Sequence, residues 1–201
     1  VHGPTKAKKA FIKPHRRDTL AARNKKRILV SGIPMTGLGT ANATLKVYIE
    51  NLPPLPYYRE LSSLATMKPG EIKNIADLTG NHWRKIFNVY AKLWYQLDPE
   101  CAASWQVFRD QELLQAHGQQ ALLFSQPEFE NCENKAVSII MGRTYAAKTG
   151  IAERCYWLSQ DFAINEAKKL IISPYFDYRQ LSNVKIAQLA GLIGNLSGKS
   201  R

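Results

Sequence analysis

The chain has 201 residues, with 28 Lys and Arg against 16 Asp and Glu, for a formal charge of +12. That length suits one domain, or one domain with an appendage. With 45% hydrophobic and 10% aromatic residues, it has enough apolar surface to exclude an intrinsically disordered chain. No stretch approaches the ~18 apolar residues of a membrane-spanning helix, so no membrane partner is expected.

The charge is uneven. Residues 1–27 hold ten Lys or Arg and one acid, Asp18, whereas 28–201 hold eighteen bases and fifteen acids. The division expected is a basic, flexible N-terminal tail at 1–26 and a single α/β domain at 27–201. The tail reads as a basic arm contacting polyanions, as a targeting peptide, or most plainly as a solubilising leader. Cys101, Cys132 and Cys155 are odd in number and far apart, and His2, His15, His82 and His117 are scattered. Neither a disulfide framework nor a zinc site fits such spacing. The expectation is a reduced, cytoplasmic protein without metal or cofactor.

A first apolar run at 27–31 predicts a strand, ended by Gly32 and Pro34. Strict alternation at 45–50 predicts a strand with one wet face, ended by the prolines of 53–56. Segment 57–80 reads as loop with a short helix at 71–78. Residues 82–97 form the clearest helix: Trp83, Ile86, Phe87, Tyr90, Trp94 and Leu97 make one apolar stripe, and Arg84, Lys85, Asn88 and Lys92 lie off it. Asp98 and Pro99 read as the start of a second helix running to His117. Strands follow at 121–125, 136–141 and 169–173, with a helical turn at 144–148. A final helix, 183–193, is capped by Ser182. Buried strands separated by helices imply an α/β three-layer sandwich with a mostly parallel central sheet flanked by helices.

In open parallel sheets ligands bind beyond the carboxyl ends of the strands, and three such loops stand out. The first, 31–40, contains Gly32, Pro34, Gly37 and Gly39 and reads as an anion nest or a plain glycine-rich turn. It is no P-loop, because Leu38 and Gly39 stand where Lys and Ser or Thr are needed. The second holds Gly142, Arg143 and Thr144; it contacts a phosphate or is an ordinary turn. The third, 173–182, gathers Tyr175, Phe176, Asp177, Tyr178 and Arg179. There a base would stack on Tyr175 or Phe176, Asp177 would accept from it, and Arg179 would meet phosphate. Alternatively, Asp177 pairs locally and the aromatics cover the core.

These loops carry a family likeness. Segment 137–150 (VSIIMGRTYAAKTG) resembles the third-strand segment of the uracil-DNA glycosylase superfamily, an apolar run, Gly and a short Ala/Lys helix. Segment 28–37 (ILVSGIPMTG) is similar to that family's first motif, 169–183 stands in the place of its last, and Trp83–Trp94 sits like the helix between the first and third segments. The resemblance implies that fold and a nucleobase crevice, without the usual catalytic residues. No carboxylate stands in Gly32-Ile33-Pro34, and Ser173 precedes Pro174 where the family has His. The chain also resembles a small uncharacterised bacterial family, a domain of unknown function.

The expected function is therefore binding of a nucleobase, nucleotide or nucleic-acid strand in the crevice. An enzymatic version would use Asp177 as catalytic general base, supported by Arg179. The alternatives are an enzyme acting on a small phosphorylated or carboxylated metabolite, and a protein–protein interaction module using Tyr57, Tyr58 or Trp157.

Overall fold

Successive side chains along a strand point to opposite faces of its sheet, and the apolar runs of this chain use that alternation to fill two cores. A computed structural model describes residues 34–127 and 136–198. Its strands are β1 (Gly37–Gly39), β2 (Leu45–Tyr48), β3 (Leu64–Ala65), β4 (Gln120–Leu123), β5 (Val137–Met141), β6 (Tyr156–Trp157), β7 (Ala163–Asn165) and β8 (Leu170–Ser173). The helices are α1 (Pro56–Arg59), α2 (Glu71–Thr79), α3 (Asn81–Leu97), α4 (Trp105–Gln111), α5 (Arg143–Lys148) and α6 (Asn183–Ser197). The expected strand at 27–31 and the basic segment 1–26 lie outside the described residues.

The strands form one sheet in the order β3-β1-β4-β2-β5-β8-β7-β6. The four central strands, β4, β2, β5 and β8, are parallel. β1 runs antiparallel to β4 and parallel to β3, while β7 runs antiparallel to both β8 and β6. The sheet is thus mixed, where a mostly parallel one was expected. On the β8 side the reason is the short links at 158–162 and 166–169: a few residues can only return a chain antiparallel, whereas a parallel neighbour needs a crossover of a dozen or more. The edge strands are two or three residues long, too short to show a period.

One face of the sheet presents Val47, Leu122, Ile139 and Ile171 to a core shared with Ile75 of α2, Phe87 of α3, Phe108 of α4 and Leu189 of α6. The other presents Tyr48, Leu123, Ile140 and Ile172 to Tyr145 and Ala146 of α5 and to Ile151. Helices therefore cover both faces, and the α/β architecture stands. Within α3, Trp83, Ile86, Phe87 and Tyr90 are buried as their spacing predicts, each contributing roughly 1.5–3 kcal/mol on the area scale. The Tyr90 hydroxyl donates to the Ala121 carbonyl at 3.1 Å, which satisfies the polar end of a fully buried ring.

The helix expected from 98 to 117 is broken. A 3₁₀ turn spans Pro99–Cys101 and Ala102 is extended. Ser104 then starts α4, its hydroxyl accepting from the Val107 N–H at 3.2 Å. A serine able to cap a fresh helix competes with continuation of the old one. Leu114, at φ 63°, leaves the right-handed region well before His117. Among the described residues no helix is long and apolar enough to cross a membrane.

Candidate functional site

The parallel strands deliver three chain segments to the same, carboxyl end of the sheet. β2 leads into Glu50 and Asn51, β5 into Gly142, and β8 ends at Ser173. The Gly142 N–H donates to the Ser173 carbonyl at 2.9 Å, tying the last two together. Gly142 has φ 100°, which lets the backbone turn from β5 straight into α5. A Cβ there would lie 3.7 Å from Cδ2 of Tyr175.

Tyr175 stacks on His82 in the first turn of α3, with centroids 5.7 Å apart and Oη 3.1 Å from Nε2. Burial raises the Tyr175 phenol above its ordinary value. A hydrogen bond with the Asn51 side chain opposes that shift, and the charges of Asp177 and Glu50 add to it. The hydroxyl therefore stays protonated at neutral pH.

Beyond Tyr175 the chain folds on itself. The Asp177 N–H donates to the Tyr175 carbonyl at 2.7 Å, and the Asp177 carbonyl accepts from Gln180 and Leu181, both at 2.8 Å. The Asp177 carboxylate accepts the Arg179 N–H at 2.9 Å, an Asx turn that fixes the loop. It also meets Lys85 Nζ at 2.8 Å. Burial alone would raise the Asp177 carboxyl. The Lys85 hydrogen bond, the Arg179 N–H and the charges of both cations outweigh it, and the net shift is downward. Asp177 is thus held as an anion, which makes it a weaker proton acceptor than a base tuned near neutrality.

Outside that pair, an open groove of about 280 Å³ is lined by Asn81, Arg84, Lys85, Asn88 and Lys92 of α3 and by Tyr178. Tyr178 is 55% exposed. Lys85 Nζ stands 5.0 Å and the Arg179 guanidinium 5.9 Å from its ring centre. Arg84 is shared between Asn81 at 3.1 Å and Asp77 at 3.7 Å. Lys92 donates to Asn183 at 3.3 Å. Among the described residues no carboxylate pairs with Lys92, Arg143 or Arg179.

The residues expected at the site fare differently. Gly37 and Gly39 form β1 rather than a nest: added Cβ atoms would sit 2.3 Å from the Leu122 carbonyl oxygen and 2.2 Å from that of Gln120. These glycines serve close pairing with β4. Gly32 lies outside the described residues, and Pro34 is exposed ahead of β1. Phe176 is 0% exposed and packs edge-on against Tyr90 at 5.8 Å. It is a core residue, not a stacking platform. Arg143 and Thr144 are exposed at the start of α5, with the Arg143 guanidinium 4.5 Å above Trp157. Tyr175, Asp177 and Arg179 gather beside α3. His82 and Lys85 were not singled out from sequence as site residues, and Tyr178 was named in the third loop without a role. The available signal was the polar row at 81, 85, 88 and 92, whose spacing puts it on one helical face.

Among the described residues no group of three His, Cys, Asp or Glu side chains could hold a metal ion. No curated protein and no solved structure matches this chain, and the expected likeness to uracil-DNA glycosylases finds no support in these comparisons. A family model does match, over residues 36–194, from the residue before β1 into the last turns of α6. On that match the chain belongs to DUF6942, a family of unknown function.

Proposed function

We propose that the protein binds a nucleobase, nucleotide or nucleic-acid strand in the groove between α3 and the loop that follows β8. The observation that carries this reading is the exposed Tyr178 ring, with Lys85 and Arg179 over it, on the same wall as Arg84 and Lys92. An aromatic face accepts any base by stacking, and cations beside it meet the phosphate attached to that base. The carboxylate nearest the groove, Asp177, is neutralised by Lys85, so it offers little repulsion. The hydrogen-bonded turn at 175–181 holds Tyr178 ready, which lowers the ordering cost of binding. The pattern likeness of 137–150 and 169–183 to uracil-DNA glycosylases points toward the same ligand class. The basic composition of 1–26 adds non-specific attraction for polyanions.

Fluorescence anisotropy with a labelled ten-residue oligothymidylate, together with competition by thymidine monophosphate, tests the reading. Affinity should fall steeply between about 50 and 200 mM salt. Tyr178→Ala should cost the equivalent of one stacked base, about 1–3 kcal/mol, and Arg179→Ala should lower the salt slope by about one. Both positions are exposed, so folding is not at stake. Binding that ignores both substitutions would assign the ligand to another surface.

A further inference from the structure

The two ends of the exposed α3 face carry matching arrangements. At one end the Tyr178 ring has Lys85 Nζ at 5.0 Å and the Arg179 guanidinium at 5.9 Å. At the other the Trp105 ring of α4 has Lys92 Nζ at 5.0 Å and the Arg109 guanidinium at 5.6 Å. In each pair one cation is already neutralised. Lys85 is bound to Asp177, and Arg109 grips both oxygens of Asp110 at 2.7 and 2.8 Å. The other cation of each pair, Arg179 or Lys92, forms no close ion pair among the described residues, and Arg179 feels the Asp177 charge only at longer range.

α3 supplies one lysine to each ring. Lys85 and Lys92 are seven residues apart, which places them on nearly the same face and about 10.5 Å apart along the axis. Asn88 lies between them and accepts from Arg109 at 2.6 Å. Significant cation–aromatic contacts arise roughly once per 70–80 residues, yet four gather here on two rings, one lining the groove and the other reached through Lys92 at its far end. Core packing does not require this, because the rings' apolar burial is independent of the cations above them.

We infer that the groove is a track for single-stranded nucleic acid, with bases stacking at Tyr178 and Trp105 and the backbone phosphates met by Arg179 and Lys92. The inference rests on the reading of the groove given above and names its ligand. A mononucleotide fills one station. A strand spanning both makes its second contact intramolecularly and gains affinity from the link. A duplex keeps its base faces in its own stack and offers the rings nothing. Stacking is tolerant of sequence, so the track reads strand character rather than a base code.

The test is competition against labelled ten-residue oligothymidylate by thymidine monophosphate, by oligothymidylates of two, four and ten residues, and by the ten-base-pair duplex with oligodeoxyadenylate. The ten-residue strand should compete at least tenfold better than the monophosphate and at least tenfold better than the duplex. Trp105→Ala should remove most of the gain with length while leaving the monophosphate within twofold. Trp105 is partly buried, so Lys92→Gln provides a second variant safe for folding; it should weaken the long strand and lower its salt slope by about one. A monophosphate or duplex that competes as well as the strand overturns the track. Strand binding indifferent to both Trp105→Ala and Lys92→Gln does the same. If Tyr178→Ala still weakens that binding, the groove reading survives alone. If neither strand nor monophosphate binds at all, both readings fall.

Discussion

Segments 31–40 and 173–182 look alike from the sequence, each a strand-end stretch rich in residues that suit a ligand. In the fold they part company. The glycines of 37–39 lie in β1, where a carbonyl of β4 occupies the space that a side chain would need. The second segment divides within itself. Phe176 and Leu181 are wholly buried, whereas Tyr178 and Arg179 face outward beside α3. Glycine allows close approach of any backbone, whether a ligand or a neighbouring strand stands opposite. Loop aromatics likewise serve a core or a surface according to which way the turn aims them.

Three substitutions probe this contrast. The largest effect belongs to Gly39→Ala. The new Cβ would meet backbone at 2.2 Å from a φ of 103°; overpacking and backbone strain together cost up to about 6 kcal/mol. Thermal or urea unfolding should show a severe loss. A near-neutral result would return 37–39 to the status of a tolerant loop.

Phe176→Ala comes next, at about 3–5 kcal/mol, because it empties a site against Tyr90 with no exposed side. Denaturant melts should register it as a change in midpoint with little change in slope. A cost below 1 kcal/mol would mean that the segment does not divide at Phe176 as described.

Asp177→Asn is the mildest, worth about 1 kcal/mol or less for a partly exposed ion pair. Its pH dependence is diagnostic. The folded Asp177 pKa lies below its ordinary value, so its stabilisation is present above the usual carboxylate range near ~4 and disappears as pH falls through the folded value. Wild type should melt above the variant at pH 7, and the gap should narrow as pH falls below the ordinary carboxylate range. A gap that does not narrow would show that charge is not its source.

The legible parts of the molecule share one trait. The strands β4, β5 and β8 are mostly apolar runs and α3 carries its 3.6 period in consecutive residues, so they could be read before their neighbours were known. In β2 the face expected to be wet instead buries Tyr48 in the core beneath α5. The break at Ser104 was missed because an unbroken polar–apolar pattern hides a competing cap. The edge strands β3 and β6 have two residues each and offer no pattern to read. At the site, Asp177 and Arg179 stood out as a charged pair in an aromatic turn. Lys85, Arg84 and Lys92 read only as the wet side of a helix.

The sequence by itself determined which segments are buried and which face of α3 is apolar, because burial follows from hydrophobic spacing within a segment. Only the tertiary structure decided that the wet face of α3 has a wall. Asp177 reaches Lys85 across 92 positions of sequence, and Trp105 reaches Lys92 from a helix whose start was hidden. The adjacency of those side chains is a product of how α3 packs against α4 and the loop after β8, and no local period encodes it.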